Sequence, residues 1–427
     1  MMKNYSFAYG EGTVSVPLNE QDVIGELVGK KIPALEDGKI GAALYETLNN
    51  PIDAAPLKDS VKPSMKIAIV VSDITRFWMR QDKVIPHLVD YLTDICKIPS
   101  SSISIVIATG THVGGDEAEM RTIVTDRIFE TVNVENHDCH SSDLVYIGTT
   151  DFGNRIVINR TVAMADFVIC IGAATHHIMA GFGGGRKSIL PGVSSYETIM
   201  CNHAFSLDSQ NFVTNPAIGN GKLEGNPLHE DMTQAASFIP NLFMVNLVCN
   251  AEMELSYIFS GNYVSSWLKA CRTVDEIYRI PIKEKADVII ASCGGYPKDE
   301  SLYQGTKTVD NVISGLKDGG TLIVMMEARN GGGPADYFNW SKYLVEGGFE
   351  EALRSNFTVA GYVFFLNCEE AKKVNIYFYT EATDKEIPLM GIKVYHDIEK
   401  LLEDAAISGK KTFVVPNGST VIPTLSE

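Results

Sequence analysis

Short apolar runs recur along the chain, each bounded by turn residues and closing on a knot of polar side chains. This pattern limits the possible folds more than any other feature. Residues 66–73 (KIAIVVSD), 102–108 (SISIVIA) and 166–172 (DFVICIG) are β-rich, with helical segments such as 81–97 between them. Strands alternating with helices predict an α/β fold on largely parallel sheets. The runs 286–292 (ADVIIAS), 321–327, 374–379 and 411–415 repeat the pattern, with a helix expected from about Asp299. The expectation is two α/β domains, residues 1–275 and 276–427, with an active-site cleft between them and the last strand free to return to the first domain.

Ligands of open parallel sheets bind at the carboxyl ends of strands, where successive strand-to-helix loops converge. The first run ends in Asp73-Ile-Thr-Arg76, the second in Thr109-Gly-Thr-His112, and the third leads into THHIMAGFGGGRKSILPG at 175–192. Asp73, Arg76, His112 and His177 are therefore expected to share one crevice. A guanidinium fork suits a substrate carboxylate, which it can hold through two parallel hydrogen bonds; the plain alternative is a surface Asp–Arg pair. Each histidine can take or return a proton near neutral pH, and each taken alone reads equally well as structural. Together they suit an enzyme that inverts a stereocentre with one base on each face. His176 points away from His177 if the segment is extended.

The glycine-rich stretch fails two familiar nucleotide motifs at one position. Both the P-loop and the dinucleotide fingerprint need a glycine where Arg186 stands. Lys187 has backbone room beside it, and its amine can form a covalent link. His203 is a possible lone metal ligand, although metal sites ordinarily draw several ligands from the protein. His137-Asp-Cys-His140 reads as a structural loop rather than a metal cluster, and residues 219–227 (GNGKLEGNP) as a shaped loop. Beyond residue 294, Tyr303 and Lys307 lie one helical turn apart with Gln304 adjoining. That face suits an anionic ligand, or belongs to an ordinary amphipathic surface helix.

A formal net charge of -17 over 427 residues argues against general nucleic-acid binding. A local cluster, Arg186 with Lys187 or Arg76 with Arg80, can still hold one small anion. No signal peptide and no apolar run of membrane-spanning length is evident, so a soluble cytoplasmic protein without membrane partners is expected. The eight cysteines lack CxxC spacing and read as reduced, buried thiols.

Taken in order, Asp73-x-Thr-Arg76, Thr109-Gly-Thr-His112, His177-x3-Gly-Phe-x-Gly-Gly-Arg-Lys187, His203, Gly225-Asn-Pro and Tyr303-Gln-x-x-Lys307 closely resemble the nickel-dependent lactate racemase family. The resemblance spans most of the chain. It implies a nickel-pincer nucleotide, a pyridinium mononucleotide that holds nickel through sulfur, carbon and sulfur. Lys187 would then be the covalent tether, with Gly184, Gly185, Arg186 and Ser188 around the cofactor. His203 would complete a planar nickel site, three of whose ligands come from the cofactor, and planar coordination suits nickel(II).

The implied reaction is racemisation of a small 2-hydroxy acid, with lactate as the default. One of His112 and His177 takes the hydroxyl proton while the Cα hydride passes to the pyridinium ring. Return of hydride to the other face of the planar 2-keto acid gives the opposite enantiomer. Arg76, Lys307, Gln304 and Tyr303 would hold substrate, and Asp73 would orient it or the catalytic groups. Enzymes of cofactor biosynthesis are the implied partners, and a sample made without them would be apo. Many members follow the arginine with proline, whereas Phe77-Trp78 stand here, which leaves the identity of the 2-hydroxy acid open. The alternatives are a non-racemising 2-hydroxyacid- or nucleotide-binding protein and an epimerase of a larger 2-hydroxy acid.

Overall fold

The structure is a computed structural model that describes residues 1–426. The chain forms two compact units: Lys31–Phe205 with Ala217–Glu276, and Met1–Lys30 with Ser206–Pro216 and the chain from Ile277.

The first unit is built on a six-stranded sheet. Its order is Leu255–Asn262, Leu242–Cys249, Phe167–Ala173, Ile67–Ser72, Ile103–Ala108, Asn133–Asn136. All neighbours run parallel except Leu255–Asn262, which returns antiparallel beside Leu242–Cys249. The central strand shows why a continuous apolar run is needed here. Ile67, Ile69 and Val71 pack into one core with Leu44, Leu88 and Tyr91, while Ala68 and Val70 face a second core with Ile189 and Met232. A sheet covered on both faces must be apolar at every position. Each fully buried valine or isoleucine contributes about 1.5–3 kcal/mol.

The second unit carries an all-parallel six-stranded sheet. Its order is Lys393–Tyr395, Asn375–Tyr379, Leu316–Met325, Ala286–Ser292, Thr412–Val415, Val23–Glu26. The hairpin Met2–Tyr9/Gly12–Asn19 packs Tyr5, Phe7, Val16 and Leu18 against Val288, Ile290 and Ile323. Residues 1–30 therefore do not group with the first unit as the 1–275 division expected. Val23–Glu26 covers the free edge of Thr412–Val415, and an uncovered strand edge is a liability. Ser206–Pro216 also joins this unit, with the Phe212 ring 4.4 Å from that of Phe365 and 5.6 Å from that of Phe349. The last strands stay here too, since Ile422–Leu425 pairs with Arg279–Ile282.

The helix expected over 81–97 is broken. A 3-10 turn at Gln81–Lys83 precedes an α-helix at Ile85–Asp90 and a π-turn at Tyr91–Ile95. Pro86 lacks the N–H that a helix interior needs, and it sits in the first turn of the α-helical piece.

Candidate active site

In the first unit's sheet, strand succession runs one way from Ile67–Ser72 and then restarts on its other side at Phe167–Ala173. Between these strands the order reverses, and ligands of open α/β sheets bind outside such a point. The loops that leave these two strands and the neighbouring Ile103–Ala108 carry Asp73 and Arg76, His177, and His112 respectively.

Ser72 is held by a buried amide. Gln81 accepts from the Ser72 N–H at 3.1 Å and donates to its carbonyl at 2.6 Å, so the strand ends here with its backbone satisfied. Asp73 follows, buried, with Oδ1 accepting from Thr75 Oγ1 at 2.6 Å and Oδ2 lying 2.5 Å from His112 Nδ1. Burial works against this carboxylate. The His112 contact, the Thr75 hydroxyl and Arg76 outweigh it and hold the group below the ordinary aspartate range. Arg76 Nη1 donates to Thr75 Oγ1 at 3.0 Å. Arg80, the other half of the expected anion cluster, is taken bidentately by Asp82 at 3.0 and 2.8 Å. Trp78 packs against the core, and the Phe77 ring lies 5.6 Å from the Arg80 guanidinium.

His112 is placed by a tight turn, its N–H bonded to Thr109 O at 2.9 Å across Gly110 at φ +57°. With Nδ1 donating to Asp73, its lone pair is on Nε2. His137 braces this loop from beneath: its carbonyl accepts from Thr109 Oγ1 at 2.7 Å and its ring Nε2 meets Ser194 O at 2.9 Å. The neighbouring His140 stacks on Tyr196 at 4.9 Å. The His137–His140 stretch is thus structural.

The two adjacent histidines separate as an extended segment requires. His176 turns inward, 3% exposed, with Nε2 2.7 Å from Asp275 Oδ1 and its ring 5.0 Å from that of Phe182. His177 is half-buried, and its Nδ1 accepts from the N–H groups of Met179 at 3.1 Å and Ala180 at 3.2 Å. In a neutral ring the proton is then on Nε2. As neutral rings, His112 and His177 are therefore different tautomers, protonated on Nδ1 and Nε2 respectively.

The glycine loop packs closely against the protein's own atoms. A Cβ on Gly184 would meet Ala173 O at 2.6 Å, and one on Gly185 would meet the Trp267 indole at 2.5 Å. These glycines make room for the protein's own strand end and indole. Arg186 is buried as well. Nη2 donates to Ala180 O at 2.6 Å, Nη1 to Phe182 O at 2.8 Å, and Nε to His229 Nδ1 at 3.1 Å, with the guanidinium 3.9 Å above the Trp267 ring. Burial lowers its pKa to about 9, which leaves it charged at neutral pH. Gly184, Gly185 and Arg186 are thus fixed in place by the protein's own atoms. Ser188, also buried, bonds the Cys170 thiol. Gly184 and Lys187 are half-buried, whereas Gly185, Arg186 and Ser188 are buried. Asn226 adds a further brace, donating to Met179 O and Lys222 O at 2.9 Å while capping the helix Pro227–Ser237.

His203, on the helix Tyr196–Ala204, is buried, with Nδ1 3.0 Å from Ile199 O. That bond fixes the proton on Nδ1, so the lone pair of the neutral ring is on Nε2. Burial and then the charge of Lys187 bring its pKa down to about 4, so the ring is neutral at pH 7. Among the described residues no group of three or more His, Cys, Asp or Glu could hold a metal. A neutral imidazole within the field of Lys187 fits a metal-bearing group that supplies most of the ligands itself.

In the second unit, Ser301 caps the helix Leu302–Val312, which carries Tyr303, Gln304 and Lys307; Lys307 Nζ donates to Gln304 Oε1 at 2.7 Å. The helix starts later than Asp299, which is buried and accepts from Gly10 N at 2.7 Å. No helix among the described residues is long and apolar enough to cross a membrane.

Comparison with known proteins points to racemases. The lactate racemase N-terminal domain family matches residues 9–215, and the C-terminal domain family matches residues 282–423. Lactate racemase of Thermoanaerobacterium thermosaccharolyticum is 33% identical over 80% of this chain and 78% of that protein. The Lactiplantibacillus plantarum lactate racemase is 31% identical over 78% and 76%. The structure of the T. thermosaccharolyticum apoprotein aligns with a TM-score of 0.87 at 28% identity, covering 99% of this chain and all of that one. A Thermotoga maritima protein at 17% identity shares the fold, with a TM-score of 0.67 over 93% of this chain and 100% of that one. The chain is an isomerase of the racemase class with a small-molecule substrate. It belongs to the lactate racemase family, which works with a nickel-based cofactor.

Proposed function

We propose that this chain racemises a small 2-hydroxy acid, with lactate the first candidate, using a nickel-pincer nucleotide tethered to Lys187 and liganded by His203. The observation that carries the proposal is the state of His203: buried, neutral, its Nδ1 committed to Ile199 O, and within the field of Lys187. When bound, the cofactor supplies a reversible hydride acceptor for the substrate Cα. The chain supplies position and proton transfer.

Arg76 takes the substrate carboxylate through its guanidinium fork. Tyr303, Gln304 and Lys307 are further substrate-binding groups. His112 is set to accept the hydroxyl proton at Nε2, and Asp73 stabilises the imidazolium that forms at the Nδ1 side. His177 offers an N–H toward the same oxygen. To act as base for the opposite enantiomer it must first give up its two backbone hydrogen bonds. The two directions of racemisation therefore start from unequal histidines.

Intact-mass measurement of protein made alongside the cofactor's biosynthetic enzymes tests the tether. Wild type should carry an adduct that Lys187→Ala lacks, whereas equal masses after allowance for the substitution would end the proposal.

A further inference from the structure

The rule that gathers Asp73 and His177 at one point of the first unit's sheet applies equally to the second. There the strands run from Ala286–Ser292 through Leu316–Met325, Asn375–Tyr379 and Lys393–Tyr395 in one direction. Thr412–Val415 then follows on the opposite side of Ala286–Ser292. The order reverses between Ala286–Ser292 and Thr412–Val415, and both strands are parallel with their carboxyl ends together. The loop leaving the first strand carries Lys298; the loop leaving the second carries Asn417 and Ser419.

These loops meet. Lys298 Nζ lies 3.4 Å from Asn417 Oδ1, which also accepts from Ser419 Oγ at 3.0 Å. Gly294, at φ +100°, makes this possible: a Cβ there would stand 2.6 Å from Asn417 Oδ1 and 3.3 Å from Lys298 Cδ. The lysine is half-buried, its amine has one long contact to a neutral oxygen, and no carboxylate among the described residues is paired with it. Asp299 is engaged at Oδ2 only, its buried Oδ1 having no hydrogen-bond partner among the described residues, and it forms no ion pair with Lys298. Its Oδ2 accepts from the N–H groups of Gly10 and Glu327, and Glu327 is paired with Arg329 at 2.6 Å. Burial lowers the Lys298 pKa to about 8, as expected of an ammonium without a counter-charge.

We propose that the reversal point between Ala286–Ser292 and Thr412–Val415 is a binding site for a phosphate-class oxyanion, with Lys298 as its charge, and with the Ser419 hydroxyl and the Asn417 Nδ2 amide as neutral donors once the anion displaces the Ser419–Asn417 Oδ1 and Lys298–Asn417 Oδ1 contacts. The ammonium is a compact point charge suited to phosphate. An oxyanion placed here would supply the missing counter-charge at a position where α/β sheets take ligands. Its source is either free phosphate or the phosphate of a nucleotide. The site does not depend on the racemase reading.

Calorimetric titration of the full-length chain tests this, with inorganic phosphate and adenosine monophosphate as probes and acetate as control. Binding of phosphate, the nucleotide or both should persist in Arg76→Met/Lys307→Met and weaken at least tenfold in Lys298→Met. Tighter binding of the nucleotide would assign the source as nucleotide, and equal or weaker binding would assign free phosphate. The double variant Asn417→Ala/Ser419→Ala keeps the lysine and should weaken binding at least threefold, so the proposal stays testable if Lys298→Met misfolds. Absence of binding by both phosphate probes, unchanged binding in the variants, or binding of acetate alone would overturn it.

Discussion

Asp73 Oδ2 lies 2.5 Å from His112 Nδ1, and this contact leaves the other ring nitrogen of His112 with its lone pair. Asp73→Asn should lower kcat by roughly two to four orders of magnitude, the usual worth of positioned acid–base catalysis. KM and the Lys187 adduct mass should change little. The Asp73 carboxyl titrates below its ordinary value, so its stabilising contribution is present above the unfolded aspartate pKa and is lost as pH falls through the lower folded one.

Gly185→Ala should destabilise the first unit by about 1–3 kcal/mol, because the new methyl collides with Trp267 in a backbone conformation that disfavours side chains. Arg186→Met should cost about 2–4 kcal/mol by orphaning the Ala180 and Phe182 carbonyls. Urea unfolding of the apo chain measures both, and either variant matching wild type would show that the loop is not braced as described.

His229 accepts from Arg186 Nε, and its pKa is lowered to about 3, first by burial and then by the Arg186 charge. The unfolded state takes up a proton near the ordinary histidine value, while the folded state refuses it until far lower pH. Stability should therefore fall as pH drops below about 6.5, by at most about 1.4 kcal/mol per unit for this group. His229→Gln, which keeps an acceptor for Arg186, should flatten the dependence of stability on pH between 6 and 4.

His203→Ala should lose nickel while keeping the covalent adduct, and Lys187→Ala should lose the adduct. Metal analysis and intact mass on the same samples separate the two roles. Undiminished nickel in His203→Ala would remove that residue from the ligand set.

The strands were legible because a sheet covered on both faces demands unbroken apolar runs, and 66–73, 102–108 and 166–172 each became one. The rule that ligands gather at strand ends then brought Asp73, Arg76, His112 and His177 to one edge. What escaped were pairings between distant positions. Gln81 on Ser72, His229 with Trp267 on Arg186, and Asn226 on Met179 leave no local pattern. Only the Asn226-Pro227 pair, a cap followed by proline at the first helical position, was a readable signal. At Gly185 the sequence shows an absent side chain but not the Trp267 indole that a Cβ there would meet. Val23–Glu26 was missed for its brevity: four residues, half-exposed, carry too little alternation to declare a strand.

Conversion of pure L-lactate by cofactor-loaded protein, followed by chiral chromatography, tests the central claim most directly. The account predicts progress toward an equal mixture of enantiomers, starting from either one, with the activity abolished in His112→Gln. Loaded protein that leaves lactate and a panel of larger 2-hydroxy acids optically unchanged would contradict it.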